Sequence, residues 1–391
     1  MASTWKTEQL FYQGDAYFSD ILAGIAQAMS TVEFETYIYD DDQVGRGFEK
    51  ALIEAAKRGV KVRVLVDGIG AGSWANRRAL ELEKNGVEVR IYHLVRFSHL
   101  LRRILAELGI RRRAASLSGQ IVARLNRRNH RKMVIIDGKD VWAGSLNISA
   151  VHSEKAHGTL AWRDTGIRVS GEESDEGIQA LLHGFEYAWR RAHDIDGKRH
   201  WIEQIASLPE PKRVRSYLVR LNYTIRLRRQ GYKDFCRRID RARDRIWITN
   251  AYLAPSKPIL RRLERARHRG VDVRVLVPRK SDVFFMPWVA TSYYTALLED
   301  GIRIFEYLPR FLHAKSVIID QWATVGSSNL NRRSLFRDFE VDIVISRESS
   351  LQDLAHIFLD DLGQAQEITS APTGWRSTLG RLILYLFKEY I

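Results

Sequence analysis

HRKMVIID at His130–Asp137 and HAKSVIID at His313–Asp320 decide the fold of this chain. Each octapeptide runs from His-x-Lys through an apolar stretch to Asp, and a short turn then leads to Gly-Ser-x-Asn, at Gly144–Asn147 and Gly326–Asn329. The apolar stretch predicts a strand that presents His and Lys on one edge, beside the Gly-Ser-x-Asn turn. An imidazole, an ammonium, a hydroxyl and a carboxamide would then surround one small anion. Two such edges can face one another across a single cleft, so the repeat predicts two similar halves with one shared site.

The repeat extends beyond these motifs into the rest of the chain. RGVKVRVLV at Arg58–Val66 recurs as RGVDVRVLV at Arg269–Val277, and a helical pattern precedes each copy. Each unit therefore predicts a helix, a glycine stop and an apolar strand. Helices that alternate with strands are typical of an α/β fold. We expect a duplicated α/β unit, with a first half at 1–205 and a second half at 206–391.

The composition is that of an ordinary globular protein with an excess of positive charge. The 391 residues are 45% hydrophobic and 28% charged, and the net charge is +15 with a pI of about 9.9. Such a charge predicts a polyanionic partner, either nucleic acid or an anionic membrane surface. The single cysteine, Cys236, excludes an intrachain disulfide and suits the reducing cytosol. The sequence lacks the Cys/His clusters that are typical of structural zinc sites.

The first half carries an insertion before its motif. Gly86 and Gly301 begin a second pair of repeated strands, and the interval from Gly86 to His130 is 44 residues, whereas that from Gly301 to His313 is 12. The 32 additional residues lie within Leu94–Asn129, where nine arginines and one acid alternate with aliphatic residues near helical spacing. This pattern predicts contact with a membrane surface, and an ordinary covering helix with solvated arginines is the alternative. The arginines assigned to membrane contact are Arg102, Arg103, Arg111, Arg112 and Arg113.

Neither end of the chain predicts a membrane span. The first residues, Met1–Gln9, lack the pattern of a signal peptide, and the sequence contains no run of eighteen apolar residues. The C-terminal stretch Trp375–Ile391 has apolar residues at helical spacing with basic residues between them, so it could lie on a bilayer or pack on the protein. We therefore expect a cytoplasmic location, with peripheral association at the inner face of the cell membrane.

The two motifs resemble the signature of the phospholipase D superfamily, His-x-Lys-x4-Asp-x6-Gly-Ser-x-Asn. The first copy matches it position for position, and the second is one residue short between Asp320 and Gly326. Within the superfamily, the chain is most similar to the short bacterial cardiolipin synthases that lack N-terminal transmembrane helices. The resemblance implies two α/β/α sandwich halves packed around one shared active site. Its further carriers are Gly14-Asp15, Glu35–Tyr39, Asp41–Gly45, Asp67-Gly68 with Gly70, Asn250–Tyr252, Phe305–Tyr307 and Trp322–Leu330.

Two histidines supply what the exchange of a phosphodiester needs. We expect His130 and His313 to act as the nucleophile and the general acid/base, because a neutral imidazole attacks phosphorus and an imidazolium donates a proton near pH 7. Lys132 and Lys315 supply positive charge to the phosphoryl oxygens, so we expect neither a metal nor another cofactor. The same oxygens can accept hydrogen bonds from Ser145, Asn147, Ser327 and Asn329.

Four acids near the motifs have expected roles of a different kind. Asp164 and Glu340 lie downstream of the two motifs and match acids at comparable places in the superfamily, so we expect them to orient the histidines. A structural ion pair at the end of a strand is the alternative for each. Asp137 and Asp320 are expected to tie the motif strand to its turn rather than to contact the substrate.

The resemblance implies phosphatidyl transfer between two phosphatidylglycerol molecules, which gives cardiolipin and glycerol through a phosphatidyl-histidine. A phospholipase D-type hydrolase or a nuclease on the same scaffold is one alternative, since the net charge suits DNA equally well. A non-catalytic module that binds anionic lipid is another, although the presence of both histidines and both lysines argues against it. The apolar residues between the arginines of the insertion favour lipid over nucleic acid. The order of the two histidines and the oligomeric state are left open by the sequence.

Overall fold

The computed structural model describes residues 4–92, 127–195, 216–283 and 285–370. The five arginines assigned to membrane contact, the C-terminal stretch and the expected boundary at 205/206 lie outside these residues, so those expectations stay predictions. Among the helices of the described ranges, none combines the length and the apolar character that a membrane span requires.

The first half contains eight strands and five α-helices in its described part. In chain order they are β1 (Thr7–Phe11), α1 (Gly14–Gln27), β2 (Thr31–Thr36), α2 (Gln43–Lys57), β3 (Lys61–Asp67), α3 (Gly72–Lys84), β4 (Glu88–Tyr92), β5 (Met133–Ile136), β6 (Asp140–Gly144), α4 (Glu154–His157), β7 (Gly166–Ser170), α5 (Glu176–Trp189) and β8 (His193–Asp194).

The described part of the second half repeats this series of elements. In chain order they are β9 (Val219–Leu221), α6 (Ile225–Arg241), β10 (Arg245–Asn250), α7 (Lys257–His268), β11 (Asp272–Pro278), α8 (Met286–Glu299), β12 (Arg303–Tyr307), β13 (Lys315–Ile319), β14 (Trp322–Gly326), α9 (Arg332–Phe336), β15 (Val341–Ile345), α10 (Glu348–Gly363) and β16 (Ala365–Ile368).

The strands of each half form one mixed sheet, and the two sheets have the same strand order. The first runs β1-β7-β6-β5-β2-β3-β4-β8 and the second runs β9-β15-β14-β13-β10-β11-β12-β16. The strands β2, β3 and β4 are parallel, as are β10, β11 and β12, whereas the other neighbouring strands are antiparallel. The motif strands β5 and β13 lie at the centre of their sheets, against β2 and β10. The predicted duplication of an α/β unit is confirmed.

The repeated segments Arg58–Val66 and Arg269–Val277, with the helices before them, fold as the sequence predicts. The helices α2 and α7 stop just before Gly59 and Gly270, and both glycines have a φ of +90°, a backbone conformation that residues with a Cβ rarely adopt. The chain then enters β3 and β11, whose valines are buried under the outer helices, while Leu65 and Leu276 are buried on the opposite face of each sheet. These strands and helices carry no catalytic residues, and they fix the position of the central motif strands.

The described residues form three large apolar cores and one small cluster around Met286 and Val289. An outer core in each half lies between the sheet and the helices α1–α3 or α6–α8, and the third core lies between the two sheets. The helices α5 and α10 contribute Phe185 and Phe358 to this central core, so each half is an α/β/α sandwich. Because the central core contains residues of both halves, it sets how the two motif strands face one another.

Candidate active site

Two short parallel bridges between the halves bring the motifs to the expected acids. Asn129 pairs with Phe339, and Arg163 pairs with Leu312. The backbone N–H of His130 donates to the Phe339 carbonyl at 3.0 Å, and that of His313 donates to the Arg163 carbonyl at 2.8 Å. Each motif histidine therefore lies beside the residue that follows the paired position in the other half.

The histidine–acid pairs cross from one half to the other. Nδ1 of His130 lies 3.0 and 3.1 Å from the two carboxylate oxygens of Glu340, and Nδ1 of His313 lies 2.7 Å from Oδ1 of Asp164. The sequence indicated an acid downstream of each motif but did not say which histidine it would serve. Each acid hydrogen-bonds to the histidine of the other half, so neither half contains both members of a histidine–acid pair. Nδ1 is engaged in both rings, which leaves Nε2 available for chemistry.

The two motif serines hold the acids in this structure. Ser145 Oγ donates to Asp164 at 2.7 Å, and Ser327 Oγ donates to Glu340 at 2.5 Å. Each hydroxyl also accepts a backbone N–H from the residue after the acid, at 3.0 and 3.1 Å. We expected these serines to contact phosphoryl oxygens. Their hydroxyls donate here to the carboxylates that hold the histidines, and contact with phosphoryl oxygens stays a prediction.

The two motif asparagines differ in the hydrogen bonds of their side-chain oxygens. Oδ1 of Asn147 accepts the backbone N–H of Ile38 at 3.1 Å, which fixes the amide. Oδ1 of Asn329 is buried and has no hydrogen-bond partner within the described ranges. The one-residue deletion is taken up in the hairpin turn, since Met133 pairs with Ala143 as Ser316 pairs with Val325, so it leaves Ser327 in the same role as Ser145.

The motif aspartates lie at the far ends of the motif strands. Asp137 accepts the backbone N–H groups of Met29, Ser30 and Thr31, and Asp320 accepts in the same way those of the first residue of β10 and the two residues before it. Both aspartates adopt positive φ angles, +52° and +50°. Burial alone would raise the pKa of Asp137, but the backbone hydrogen bonds outweigh it and lower that pKa. The two side chains clamp each motif strand to the start of its neighbour.

Both motif lysines are buried and extend beside an aromatic ring. Lys132 Nζ donates to its own His130 carbonyl at 2.6 Å and lies 5.2 Å from the ring centre of Tyr37. Lys315 makes the same bond to the His313 carbonyl and lies 5.8 Å from the ring centre of Tyr252. Tyr37 is the first residue after β2 and Tyr252 is the second after β10, so the two rings reach equivalent lysines from positions that differ by one residue, and we did not assign them to the site from the sequence. Aromatic faces stabilise a buried ammonium without neutralising it.

The electrostatics of the site favour an anionic ligand. Burial lowers the pKa of Lys132 to about 7 and holds the pKa of Lys315 well below its usual range. Burial and the neighbouring lysines likewise hold the pKa values of His130 and His313 well below the ordinary value for histidine. A phosphodiester between these groups would supply the missing negative charge and favour their protonated forms.

The two acids differ in charge state. Burial raises the pKa of Glu340 to about 7. Burial would also raise the pKa of Asp164, but His152 and His313 outweigh it and hold that pKa well below its usual range. Asp164 therefore has the lower pKa of the two acids and stays ionised, and the Nδ1–H group of His313 donates to it.

We expect the pH dependence of kcat/KM to report the free-enzyme titration of Lys132. Because the lysine is charged only below about pH 7, kcat/KM on a short-chain soluble phosphodiester should fall by up to about tenfold per unit above that pH. Binding of inorganic phosphate near pH 8 should take up a proton, which calorimetry in two buffers of different ionisation enthalpy measures. A flat profile to pH 9 without proton uptake would count against a buried, titrating lysine.

His152 is a site residue that the sequence analysis did not find. Its Nδ1 lies 2.7 Å from Oδ2 of Asp164, the same carboxylate that binds His313, and its Nε2 accepts the backbone N–H of Asn147 at 3.3 Å. It follows the motif serine by seven residues, the same interval as Ser334 in the second half, which contacts Glu340. No other pattern in the sequence distinguishes this histidine.

The group His152, Asp164 and His313 also offers three possible metal-ligand atoms within 4.8 Å of one another. Both ring Nδ1 atoms contact the carboxylate, so a metal ion would have to displace the protons in these two hydrogen bonds. The arrangement works as a hydrogen-bond relay in which one aspartate is held by two imidazoles.

Replacing His152 with alanine is expected to lower kcat by about tenfold, since the hydrogen bond that it donates to a charged partner is worth about 1.5 kcal/mol. Loss of this partner should also raise the pKa of Asp164, so the acidic limb of the kcat profile should move to higher pH. His152→Gln, whose amide can still donate, should recover part of both effects. Equal losses at every pH in both variants would indicate a packing role only.

Comparison with solved structures supports the fold. The chain superposes on the phosphatidylserine synthase of Haemophilus influenzae Rd KW20 with a TM-score of 0.70 at 12% identity, covering 100% of this chain and 94% of that one. It superposes on the polyphosphate kinase of Porphyromonas gingivalis with a TM-score of 0.58 at 12% identity, covering 98% of this chain and 56% of that one. At this level of identity the likeness shows the architecture alone.

Similar sequences are more informative. A cardiolipin synthase of Clostridium perfringens (strain 13 / Type A) is 29% identical over 374 residues, which cover 95% of this chain and 74% of that protein. A probable cardiolipin synthase of Bacillus subtilis (strain 168) is 30% identical over 387 residues, which cover 95% and 69%. Cardiolipin synthase 2 of Bacillus anthracis is 32% identical over 371 residues, which cover 91% and 64%.

The fold, the paired motifs and these relatives define the class of protein, a phosphatidyltransferase of the phospholipase D superfamily. A family model described as "Cardiolipin synthase, PLD-like domain" matches residues 21–162 and 235–362, so each half contains one match. The chain belongs to this family.

Proposed function

We propose that this enzyme makes cardiolipin from two phosphatidylglycerol molecules, with release of glycerol, through a phosphatidyl-histidine. The observation that carries the proposal is the crossed pairing of His130 with Glu340 and of His313 with Asp164. It gives the site two imidazoles, each held at Nδ1 by a carboxylate, and membership of the cardiolipin synthase family supplies the substrate class.

The proposed cycle uses each imidazole twice. Nε2 of one histidine attacks phosphorus, and the P–O bond to glycerol breaks while the imidazolium of the other histidine protonates the leaving oxygen. The second histidine then removes the proton from a hydroxyl of the next phosphatidylglycerol. That oxygen attacks phosphorus and breaks the P–N bond, which restores the first histidine. Lys132 and Lys315 offset the charge on the non-bridging oxygens throughout.

An anionic membrane is the proposed partner surface. The outer helices α6 and α7 contain twelve lysines and arginines but three acids, whereas the corresponding α1 and α2 contain three basic residues and four acids. Charge of this density attracts anionic headgroups by about 1 kcal/mol per basic residue near the surface. The same helices could attract nucleic acid, so the substrate must be tested directly.

Incubation with phosphatidylglycerol vesicles tests the proposed reaction, with a plasmid assay in parallel. We expect equal amounts of cardiolipin and glycerol, and an intact plasmid. The double variant Lys132→Met, Lys315→Met serves as the matched inactive protein. Phosphatidic acid as the main product would favour hydrolysis, and plasmid cleavage without lipid turnover would favour the nuclease. Vesicle binding without any product would favour the non-catalytic module.

We expect turnover to survive an excess of chelator, because the two lysines and two histidines already supply the charge and the proton transfers that a metal would provide. The measurement is cardiolipin formation after dialysis against chelator, compared with the same protein supplied with zinc or magnesium. Loss of activity that a divalent ion restores would contradict this expectation and would point to the His152, Asp164 and His313 group.

A further inference from the structure

One side of the candidate active site is bordered by a surface that combines arginines with exposed apolar side chains. It consists of the segment Leu221–Arg229, which contains the first turn of α6, and the segment Asn331–Arg337, which contains α9. We call these two segments the basic rim. Together they contain six arginines and no acidic residue. Asp338, the residue after the second segment, binds Arg333 at 2.6 Å and offsets one of the six charges.

The two segments of the basic rim pack against each other. Arg228 donates to the Phe336 carbonyl at 2.9 Å, and the ring centres of Tyr232 and Phe336 are 5.1 Å apart. Ile225 precedes Arg228 by one turn of α6, so it lies next to this contact. Ile225 is 65% exposed and Phe336 is 37% exposed. Each segment therefore contributes one accessible apolar side chain to a common surface.

The basic rim also contacts the acid that holds His130. Asn222 donates to the Ser334 carbonyl at 2.8 Å, and its Oδ1 accepts the backbone N–H of Glu340 at 2.7 Å. Glu340 in turn lies 3.0 Å from Nδ1 of His130. The basic rim therefore borders the side of the shared site that contains His130.

The equivalent positions in the first half have a different charge. Arg226, Arg229 and Arg332 are exposed on the basic rim. Counting back from the C-caps of α1 and α6 places Asp15 where the second half has Arg229. Counting on from the motif serines places Ala150 where the second half has Arg332. The two borders of the shared site are thus unlike, and the basic one belongs to the second half.

The composition of the basic rim selects a lipid surface as its partner. A single exposed apolar side chain is ordinary, but two beside several arginines form the pattern of an interfacial segment. The arginines gain energy near anionic headgroups, and the apolar side chains gain energy at the boundary with the acyl chains. A nucleic-acid backbone would use the arginines and leave Ile225 in water. The site of a phosphatidyltransferase must also receive its lipid from a membrane.

We infer that the basic rim docks the enzyme onto an anionic bilayer, with Ile225 and Phe336 inserted at the level of the headgroups. The inference rests on the proposed membrane partner, and it adds a surface and an orientation. The His130 side of the site then faces the bilayer, so the phosphodiester of a lipid reaches the histidines from the membrane surface. The far ends of the motif strands, at Asp137 and Asp320, face away from it.

An environment-sensitive fluorophore on single introduced cysteines tests the inference with the full chain. Ile225→Cys and Phe336→Cys place it on the basic rim, whereas Met29→Cys places it at the far end of the sheet, where Asp137 binds the Met29 backbone. Met29 is 84% exposed, so this control label also starts in water. Cys236 is buried, and wild type treated with the same reagent measures its background. On vesicles that contain phosphatidylglycerol, emission from positions 225 and 336 should rise and shift to shorter wavelength, while that from position 29 should stay as in buffer.

Cosedimentation with the same vesicles measures the contributions of individual side chains. Ile225→Ser should weaken vesicle binding by about tenfold, because burial of an isoleucine side chain is worth at least that factor. Arg226→Gln and Arg229→Gln should each weaken it by about fivefold at low salt, and by less at high salt. Leu80→Ser is the matched control. It removes a side chain that is 52% exposed on α3 and should bind as wild type does.

Vesicle binding in which the labels at positions 225 and 336 stay in water would overturn the inference, as would entry of the label at position 29. Absence of vesicle binding by the wild type at low salt would overturn it as well. Plasmid binding that Arg226→Gln weakens and Ile225→Ser leaves unchanged, without vesicle binding, would replace the bilayer with nucleic acid. None of these readouts needs turnover. Insertion of both labels without cardiolipin formation would therefore count against the proposed reaction and leave the docking surface in place.

Discussion

Alanine at either His130 or His313 is expected to lower kcat by at least about 10⁴-fold, the loss typical of a missing nucleophile or general acid/base. The two rings cannot replace one another within a cycle. In the proposed cycle one is bonded to phosphorus while the other carries the proton, and each is held by a different acid across the halves. Cardiolipin formed from phosphatidylglycerol vesicles is the measurement.

His157→Ala is the matched control for this pair. It removes an exposed histidine from α4 and should leave turnover unchanged. The melting temperatures of all three variants should stay close to that of the wild type, because neither motif histidine belongs to an apolar core. Substantial steady-state turnover in both motif variants would contradict a two-histidine mechanism.

Asp164→Asn is expected to lower kcat by about 10³-fold, or about 4 kcal/mol, and Glu340→Gln by clearly less. Asp164 stays ionised because His152 and His313 hold its pKa well below the usual range, so it stabilises the imidazolium that forms at His313 in the proposed cycle. Burial raises the pKa of Glu340 to about 7, so this acid is already partly neutral there and its amide changes less. Steady-state rates at pH 7 measure the difference, and equal losses would contradict the assigned charge states.

The crossed pairing of histidines and acids can also be tested by NMR. ¹⁵N NMR of the imidazole nitrogens should show a changed tautomer for His313 in Asp164→Asn and an unchanged one for His130. The control is Asp137→Asn, which weakens the clamp on the motif strand. It should lower stability by about 1 kcal/mol while leaving kcat as it is. A change at His130 and none at His313 would refute the pairing.

Much of the architecture could be predicted from the sequence because it depends on local patterns. The strand after Gly59 and its copy after Gly270 combine a glycine stop with a valine-rich run, and these signals act over a few residues. The repeated motifs then indicated two halves around a shared site, and the fold confirms the two halves.

The pairing inside the site depends on long-range packing, so it could not be predicted. The repeated sequence contains two histidines and two acids, but it does not indicate whether Glu340 hydrogen-bonds to His313 or to His130. The bridges at Phe339 and Leu312 decide this, and they form only when the two sheets pack together. His152 could not be predicted either, because a single histidine in a short turn shows no periodicity and its contact with Asp164 forms only in the folded chain.

The central claim is that phosphatidyl transfer passes through one histidine of the shared site. Rapid quenching at neutral pH during turnover, followed by digestion and mass spectrometry, tests it most directly. We predict a phosphatidyl group on a single peptide, containing either His130 or His313, whose amount rises before cardiolipin accumulates. A phosphatidyl group on Ser145 or Ser327, or steady formation of cardiolipin with no modified histidine, would contradict the claim.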